Sequence, residues 1–184
     1  MGLSIGYKND KDARKVNLGI GAYRTEDGKP FVFPVIRQAE KAIANNHSLD
    51  KEYMPIDGLQ DFNKGARGVL FGWNHADVTS GRVCSSQTLS GTGALRIIGE
   101  YLKKYRSAPI YISDPTWGNH NQIFNALGMD VRKYRYFDKK TKGLDFNGMI
   151  EDLKNATPGS CVLLHTCAHN PTGVDPTLQQ WKQI

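Results

Sequence analysis

The chain has 184 residues, of which 39% are hydrophobic and 23% charged, enough to bury a sizeable core and without the bias of a disordered or collagen-like chain. Its formal charge of +6 comes from Lys and Arg residues scattered among Asp and Glu, which reads as a solvated surface and not as a nucleic-acid footprint. Cys84, Cys161 and Cys167 cannot all pair and form no C-x-x-C, so a reducing, intracellular compartment is expected. Met1 to Lys15 has no apolar core of signal-peptide length, and no stretch approaches the roughly 18 apolar residues of a membrane span.

In chain order, Lys15 to Tyr23 alternates too loosely for a firm strand, but Gly19 and Gly21 give it a backbone that can approach another group closely. Pro34 opens a helix with Val35, Ile36, Ala39 and Ile43 at helical spacing, and Leu59, Phe62 and Leu70 suggest a second. From residue 83 the pattern sharpens. Val83 to Leu89 reads as a strand, Gly93 to Tyr105 as a helix and Ile110 to Ser113 as a strand. A helix through Ile123, Phe124 and Leu127 follows, capped at Gly128. Val131 to Phe137 reads as a strand, Phe146 to Leu153 as a helix and Cys161 to Thr166 as a strand, with a connecting turn at Asn155–Gly159. This alternation predicts an α/β fold in which a mostly parallel sheet is covered by helices.

Three strand ends carry the polar residues of interest. Ser90-Gly91-Thr92-Gly93-Ala94 stands where a strand meets a helix. Two hydroxyls and unpaired backbone N–H groups at a helix N-terminus suit a phosphate, although the same residues also make a tight turn with a helix cap. The dinucleotide fingerprint is absent because Gly91-x-Gly93-x-x-Arg96 lacks its third glycine, and there is no phosphate-binding G-x-x-x-x-G-K-[ST]. In Asp114-Pro115-Thr116-Trp117-Gly118-Asn119-His120, Trp117 can offer a flat face to an aromatic ring or simply cap the core. In His169-Asn170-Pro171-Thr172-Gly173, Pro171 holds Asn170 away from helical geometry, aiming its amide toward the same sheet edge. His165, Cys167 and His169 would share a face if the strand ran that far, but three ligands without a fourth make no metal site, so no metal is expected. Ser48-x-x-Lys51 has no accompanying S-D-N or K-T-G and is read as accidental.

Together these segments are more specific than any one of them. Val16–Arg24, Glu52-Tyr53-Met54-Pro55-Ile56-Asp57-Gly58, Ser90–Ala94, Pro115–His120 and Cys167–Pro176 occur in the order and approximate spacing of the aspartate aminotransferases. The sequence resembles the eukaryotic-type members of that class I pyridoxal-phosphate family over essentially its whole length. The resemblance implies that Ser90, Gly91 and Thr92 hold the phosphate of pyridoxal 5'-phosphate and that Trp117 stacks on its ring. It implies that Asn170 bonds the ring's phenolic oxygen beside the substrate carboxylate, that Gly21 lines that carboxylate and that His120 stands behind the cofactor. Tyr53 would reach the phosphate of a neighbouring subunit, implying a homodimer with shared sites, and cis bonds are expected before Pro115 and Pro171.

By the same resemblance, residues 1–30 belong to a small domain and residues 31–184 to the first half of a large cofactor-binding domain. The Schiff-base lysine, the aspartate for the pyridine nitrogen and the substrate-binding arginines are expected beyond Ile184, so no catalytic residue is assigned in this chain. The expected reaction is amino transfer between L-aspartate and 2-oxoglutarate, with this chain alone inactive; the alternative is an inactive short form serving as a binding or dimerising module. Its partners would be small amino and oxo acids, without nucleic acid or membrane, in the cytoplasm or the mitochondrion.

Overall fold

The computed structural model describes residues 2–19 and 21–184, so position 20 of the Val16–Arg24 segment lies outside the described residues. The chain divides into two compact units, Met1–Tyr53 and Met54–Ile184. In the first, α1 (Gly2–Asn9) and α2 (Pro34–Asn45) flank an irregular stretch in which an antiparallel bridge joins Arg24 to Pro30. Pro34 occupies the first turn of α2, where its missing N–H costs no hydrogen bond. Tyr23, Phe31 and Phe33 cluster at that bridge, with ring centroids 4.7–5.8 Å apart. Helix α1 has no counterpart in the sequence reading, and none of its residues is buried.

The second unit is built on α3 (Gln60–Phe71), α4 (Ala76–Thr79), α5 (Ser90–Tyr105), β1 (Ile110–Asp114), α6 (Gly118–Ala126) and β2 (Val131–Arg135). A short hairpin of β3 (Phe137–Asp138) and β4 (Gly143–Leu144) follows, then α7 (Phe146–Lys154), β5 (Cys161–Val162) and α8 (Leu178–Trp181). The three-stranded sheet has the order β2-β1-β5 and is parallel throughout, with Ile110 opposite Val131 on one side and Cys161 on the other. Strand β1 is therefore central, and its first four residues are all buried, as expected for a parallel strand covered on both faces. Strand period two sorts its side chains. Ile110 and Ile112 pack with Phe124 of α6, with Leu127 at its C-cap and with Leu95 of α5; Tyr111 packs with Tyr134, Tyr136 and Met149 of α7.

Two features fix the helices on the first face. Gly128, at φ +66°, ends α6 as anticipated: its N–H bonds the Asn125 carbonyl (2.8 Å) and the Met129 N–H that of Phe124 (3.1 Å). At Gly99 the two helices come so close that a Cβ would collide with Leu127 Cδ1 and stand 3.3 Å from Phe124 Cε1.

Several boundaries differ by more than one residue from the sequence expectation. Strand β2 stops at Arg135 and not Phe137, which begins the antiparallel hairpin with β4 instead. Residues 83–89 form no ladder; their hydrogen bonds go to the turn before α3, with the Gln87 N–H on the Asp57 carbonyl (2.9 Å) and Gln87 Oε1 accepting from the Leu59 N–H (2.9 Å). Helix α5 begins at Ser90 and not Gly93, which puts the Ser-Gly-Thr hydroxyls inside its first turn. Strand β5 stops at Val162 and not Thr166: the Leu163 N–H still bonds Tyr111, but its carbonyl is taken by the Tyr134 hydroxyl (2.9 Å), and a side chain replaces the next rung.

Candidate active site

The C-terminal ends of β1 and β5 are neighbours in a parallel sheet, so the segments leaving them, 115–120 and 163–175, emerge side by side. Both segments turn through cis bonds, Asp114–Pro115 and Asn170–Pro171, at the two positions anticipated. Between them a chain of three hydrogen bonds runs through four residues. The Asn170 backbone N–H donates to His165 Nδ1 (3.1 Å), His165 Nε2 lies 3.3 Å from Thr116 Oγ1, and Thr116 Oγ1 lies 2.8 Å from His120 Nδ1.

This chain sets the tautomers. Burial, the largest cause, holds the His120 imidazole down to about 4, with the nearby His165 adding to it. Burial also lowers His165, against the opposing pull of Asp175. Both rings are thus neutral at pH 7. Because His165 Nδ1 accepts, its proton sits on Nε2 and is donated to Thr116; the threonine hydroxyl then donates to His120 Nδ1. The remaining proton of His120 is on Nε2, which has no acceptor among the described residues.

The rings also stack. Trp117 and His120 meet edge to face at 5.3 Å, as do His120 and His165 at 5.1 Å. His165 lies on His169 at 4.2 Å and His169 on Tyr136 at 3.8 Å, nearly parallel. Buried His169 has both ring nitrogens engaged, with Ser113 Oγ (2.9 Å) and Thr172 Oγ1 (2.8 Å), and burial likewise brings it down to about 4. The Tyr136 hydroxyl donates to the Val174 carbonyl (2.7 Å), while burial raises it to about 12.

Of the site residues expected from the sequence, Trp117, His120 and Asn170 are thus brought together, Asn170 exposed and Trp117 half-buried. Ser90, Gly91 and Thr92 form the exposed first turn of α5, the helix packed on α6. The N–H groups of Gly91 and Thr92 and both hydroxyls have no partner among the described residues, and a Cβ on Gly91 would meet nothing within 4 Å. The glycine is therefore not required by the chain's own packing, and four donors stand open at the positive end of a 16-residue helix. These donors fit a phosphate, and the Trp117 face fits an aromatic ring. Gly21 and Tyr53 lie in the first unit, both exposed.

Thr116, Ser113, Thr172 and Tyr136 were not singled out by the sequence; His165 enters only for a metal site that is set aside, and His169 for that and as the start of the His169–Gly173 turn. The described residues contain no group of three metal-ligating side chains. The available signal was the spacing Thr116-x-x-x-His120 and His165-x-x-x-His169-x-x-Thr172 around two Pro turns.

Residues 13–184 match the family model described as aminotransferase class I and II. The cytoplasmic aspartate aminotransferase of Oryza sativa subsp. japonica is 54% identical over 185 aligned positions, covering 100% of this chain and 46% of that protein. Among solved structures, the Saccharomyces cerevisiae cytoplasmic aspartate aminotransferase superimposes with a TM-score of 0.91 at 44% identity, covering 99% of this chain and 44% of that one. The Burkholderia pseudomallei aromatic-amino-acid aminotransferase, covalently bound to pyridoxal phosphate, gives 0.92 at 42% identity, covering 99% and 46%. The chain spans less than half the length of these relatives. The match across 13–184 and the α/β fold make this chain a member of the class I and II aminotransferase family.

Proposed function

We propose that this chain supplies the phosphate and ring cradle of a pyridoxal-phosphate-dependent aspartate aminotransferase. The overall reaction moves the amino group of L-aspartate to 2-oxoglutarate, leaving an oxo acid and an amino acid, and needs no outside oxidant or reductant. The observation that carries this reading is the pairing of open donors on α5 with a tryptophan whose neighbouring imidazoles are locked neutral. When bound, pyridoxal phosphate supplies the electron sink that lets the amino acid lose its α-proton.

The chain's own residues bind and orient. The Ser90 and Thr92 hydroxyls and the Gly91 and Thr92 N–H groups take the phosphate, Trp117 stacks on the ring and the Asn170 amide takes its phenolic oxygen. His120 keeps its proton on Nε2 behind the ring, available to a group outside the described residues. Gly21 is assigned to the substrate carboxylate and Tyr53 to the phosphate of a neighbouring copy in a homodimer. Residues 1–30 are assigned to the small domain and 31–184 to the large one. An intracellular location accords with the rice relative's cytoplasmic name.

The test is pyridoxal phosphate titration followed by tryptophan fluorescence, with inorganic phosphate as competitor. Saturable quenching is expected, lost in Trp117→Phe and weakened in a Ser90→Ala, Thr92→Val double variant. Borohydride is expected to trap no unique lysine of this chain. Binding indifferent to both sets of substitutions would overturn the reading. In a catalytically complete protein carrying these residues, aspartate is expected to be preferred over aromatic amino acids.

A further inference from the structure

Asn170 sits in a stretch with no helix or ladder, yet the three successive backbone N–H groups of Ala168, His169 and Asn170 all have acceptors, and every acceptor is a side chain. The Asp175 carboxylate takes two of them, Oδ2 from Ala168 (2.7 Å) and Oδ1 from His169 (2.9 Å); His165 Nδ1 takes the third. Ala168 adopts φ +50°, a left-handed conformation uncommon for a residue with a Cβ, and it turns these N–H groups into a concave donor array. Such an array attracts an anion, and here the anion is internal. The return of the chain closes the ring: the Gly173 N–H bonds the His169 carbonyl (2.7 Å), Gly173 itself at φ +67°.

We propose that Asp175 is a positioning residue that fixes the orientation of Asn170, by filling the backbone donor array of residues 168–169 so that the Asn170 N–H is left for His165. Only in naming what Asn170 then touches does this rest on the function proposed above. Both carboxylate oxygens are used, so a single-acceptor side chain cannot replace it. Removal of the acceptor would leave two N–H groups unpaired beside a left-handed alanine. The His169 ring anchors the same turn to the sheet through Ser113, but it holds a side chain and not the backbone of the array. The charged or titratable groups facing Asp175 are His169, His165 and Tyr136, and the backbone bonds from His169 and Ala168 hold its carboxyl below the usual range.

The experiment is amide and imidazole 15N NMR of the full chain without cofactor, labelled at alanine, histidine and asparagine, on wild type, Asp175→Asn and Asp175→Glu. In Asp175→Asn, which keeps shape but loses one acceptor and the charge, exchange protection of the Ala168 and His169 amides is expected to fall roughly tenfold. The Asn170 amide and His165 Nδ1 signals are expected to move with them, since that bond is the downstream reporter. In wild type the Ala168 and His169 amides are expected to titrate together in acid, with a midpoint below an ordinary aspartate, while the Asn170 amide follows protonation of His165; this measurement stands even if a variant fails to fold. Asp175→Glu, with both acceptors on a longer arm, is expected to restore part of the protection. Unchanged Asn170 and His165 signals in Asp175→Asn, or the absence of a joint acid transition in wild type, would overturn the proposal. Pyridoxal phosphate titration is a separate arm: if wild type binds none while the NMR behaves as expected, the cofactor reading fails and the positioning role stands.

Discussion

Acid should weaken this fold well above the range where carboxylates titrate. His120 and His169 are each held near 4, against 6.5 for a free imidazole, chiefly by burial. A group whose folded value is depressed contributes stability that is complete above its unfolded value and is lost as pH falls toward the folded one; here the window runs from about 6.5 down to about 4. At pH 5 the unfolded imidazole is mostly protonated and the folded one is not, so each histidine costs about 2 kcal/mol between pH 7 and pH 5. The rings share the field of His165, so the pair together should cost roughly 2–4 kcal/mol. The assay is urea unfolding at half-unit steps from pH 7.5 to 4.5, repeated in His120→Gln and His169→Gln. Each variant starts less stable, but its stability should fall less steeply with acid than that of wild type. A wild-type stability flat to within about 0.5 kcal/mol between pH 7 and 5, or variants with the wild-type slope, would refute the neutral-imidazole account.

Other expectations follow from packing and hydrogen bonding. Gly99→Ala should destabilise by about 1–3 kcal/mol in urea unfolding, because the new methyl enters the buried Leu127–Phe124 contact. Asp145→Ala removes the carboxylate that accepts from the Gly148 N–H (3.0 Å) at the start of α7 and should cost about 1 kcal/mol by the same measure. Thr116→Val strips the shared partner from two imidazoles and should cost about 1–3 kcal/mol, whereas Thr116→Ser should be close to wild type; equal losses in both would show that shape and not the hydroxyl matters.

What could be read from the chain alone follows from which interactions are local. Helices α2, α3, α5, α6 and α7 carry apolar periods, and β1 is a run buried in its first four residues, so their existence was legible. The pairing of residues 83–89 was not, because an extended segment becomes a strand only when a neighbouring strand bonds its backbone, and here the Gln87 N–H goes to the Asp57 carbonyl of a turn while its side chain accepts from the Leu59 N–H. The early end of β5 has the same origin: Tyr134 comes from a strand 29 residues earlier to take the Leu163 carbonyl, a long-range bond with no local signature. The small-residue motifs at 90–92 and 169–173 were visible because turns and helix starts restrict residue type locally. Their supporting cast was not. Thr116, His165 and Tyr136 are ordinary residues whose importance lies in which strand end they stand beside.

His165 illustrates how the fold turns neighbouring strand ends into one device. As a metal ligand it would need a lone pair free, and in this structure it has none: its Nδ1 lone pair is taken by the Asn170 N–H, and its Nε2 is committed to Thr116. That double engagement makes it a connector, because the backbone of one cis-proline turn determines which nitrogen of His120 in the other carries the proton. The direction cannot reverse while the rings stay neutral, since a backbone N–H can only donate. Protonation of His165 would remove the acceptor from Asn170 and leave that N–H unpaired beside a cation. The burial that keeps His165 uncharged is therefore the same burial that keeps Asn170 in place, and the two strand ends hold or fail together.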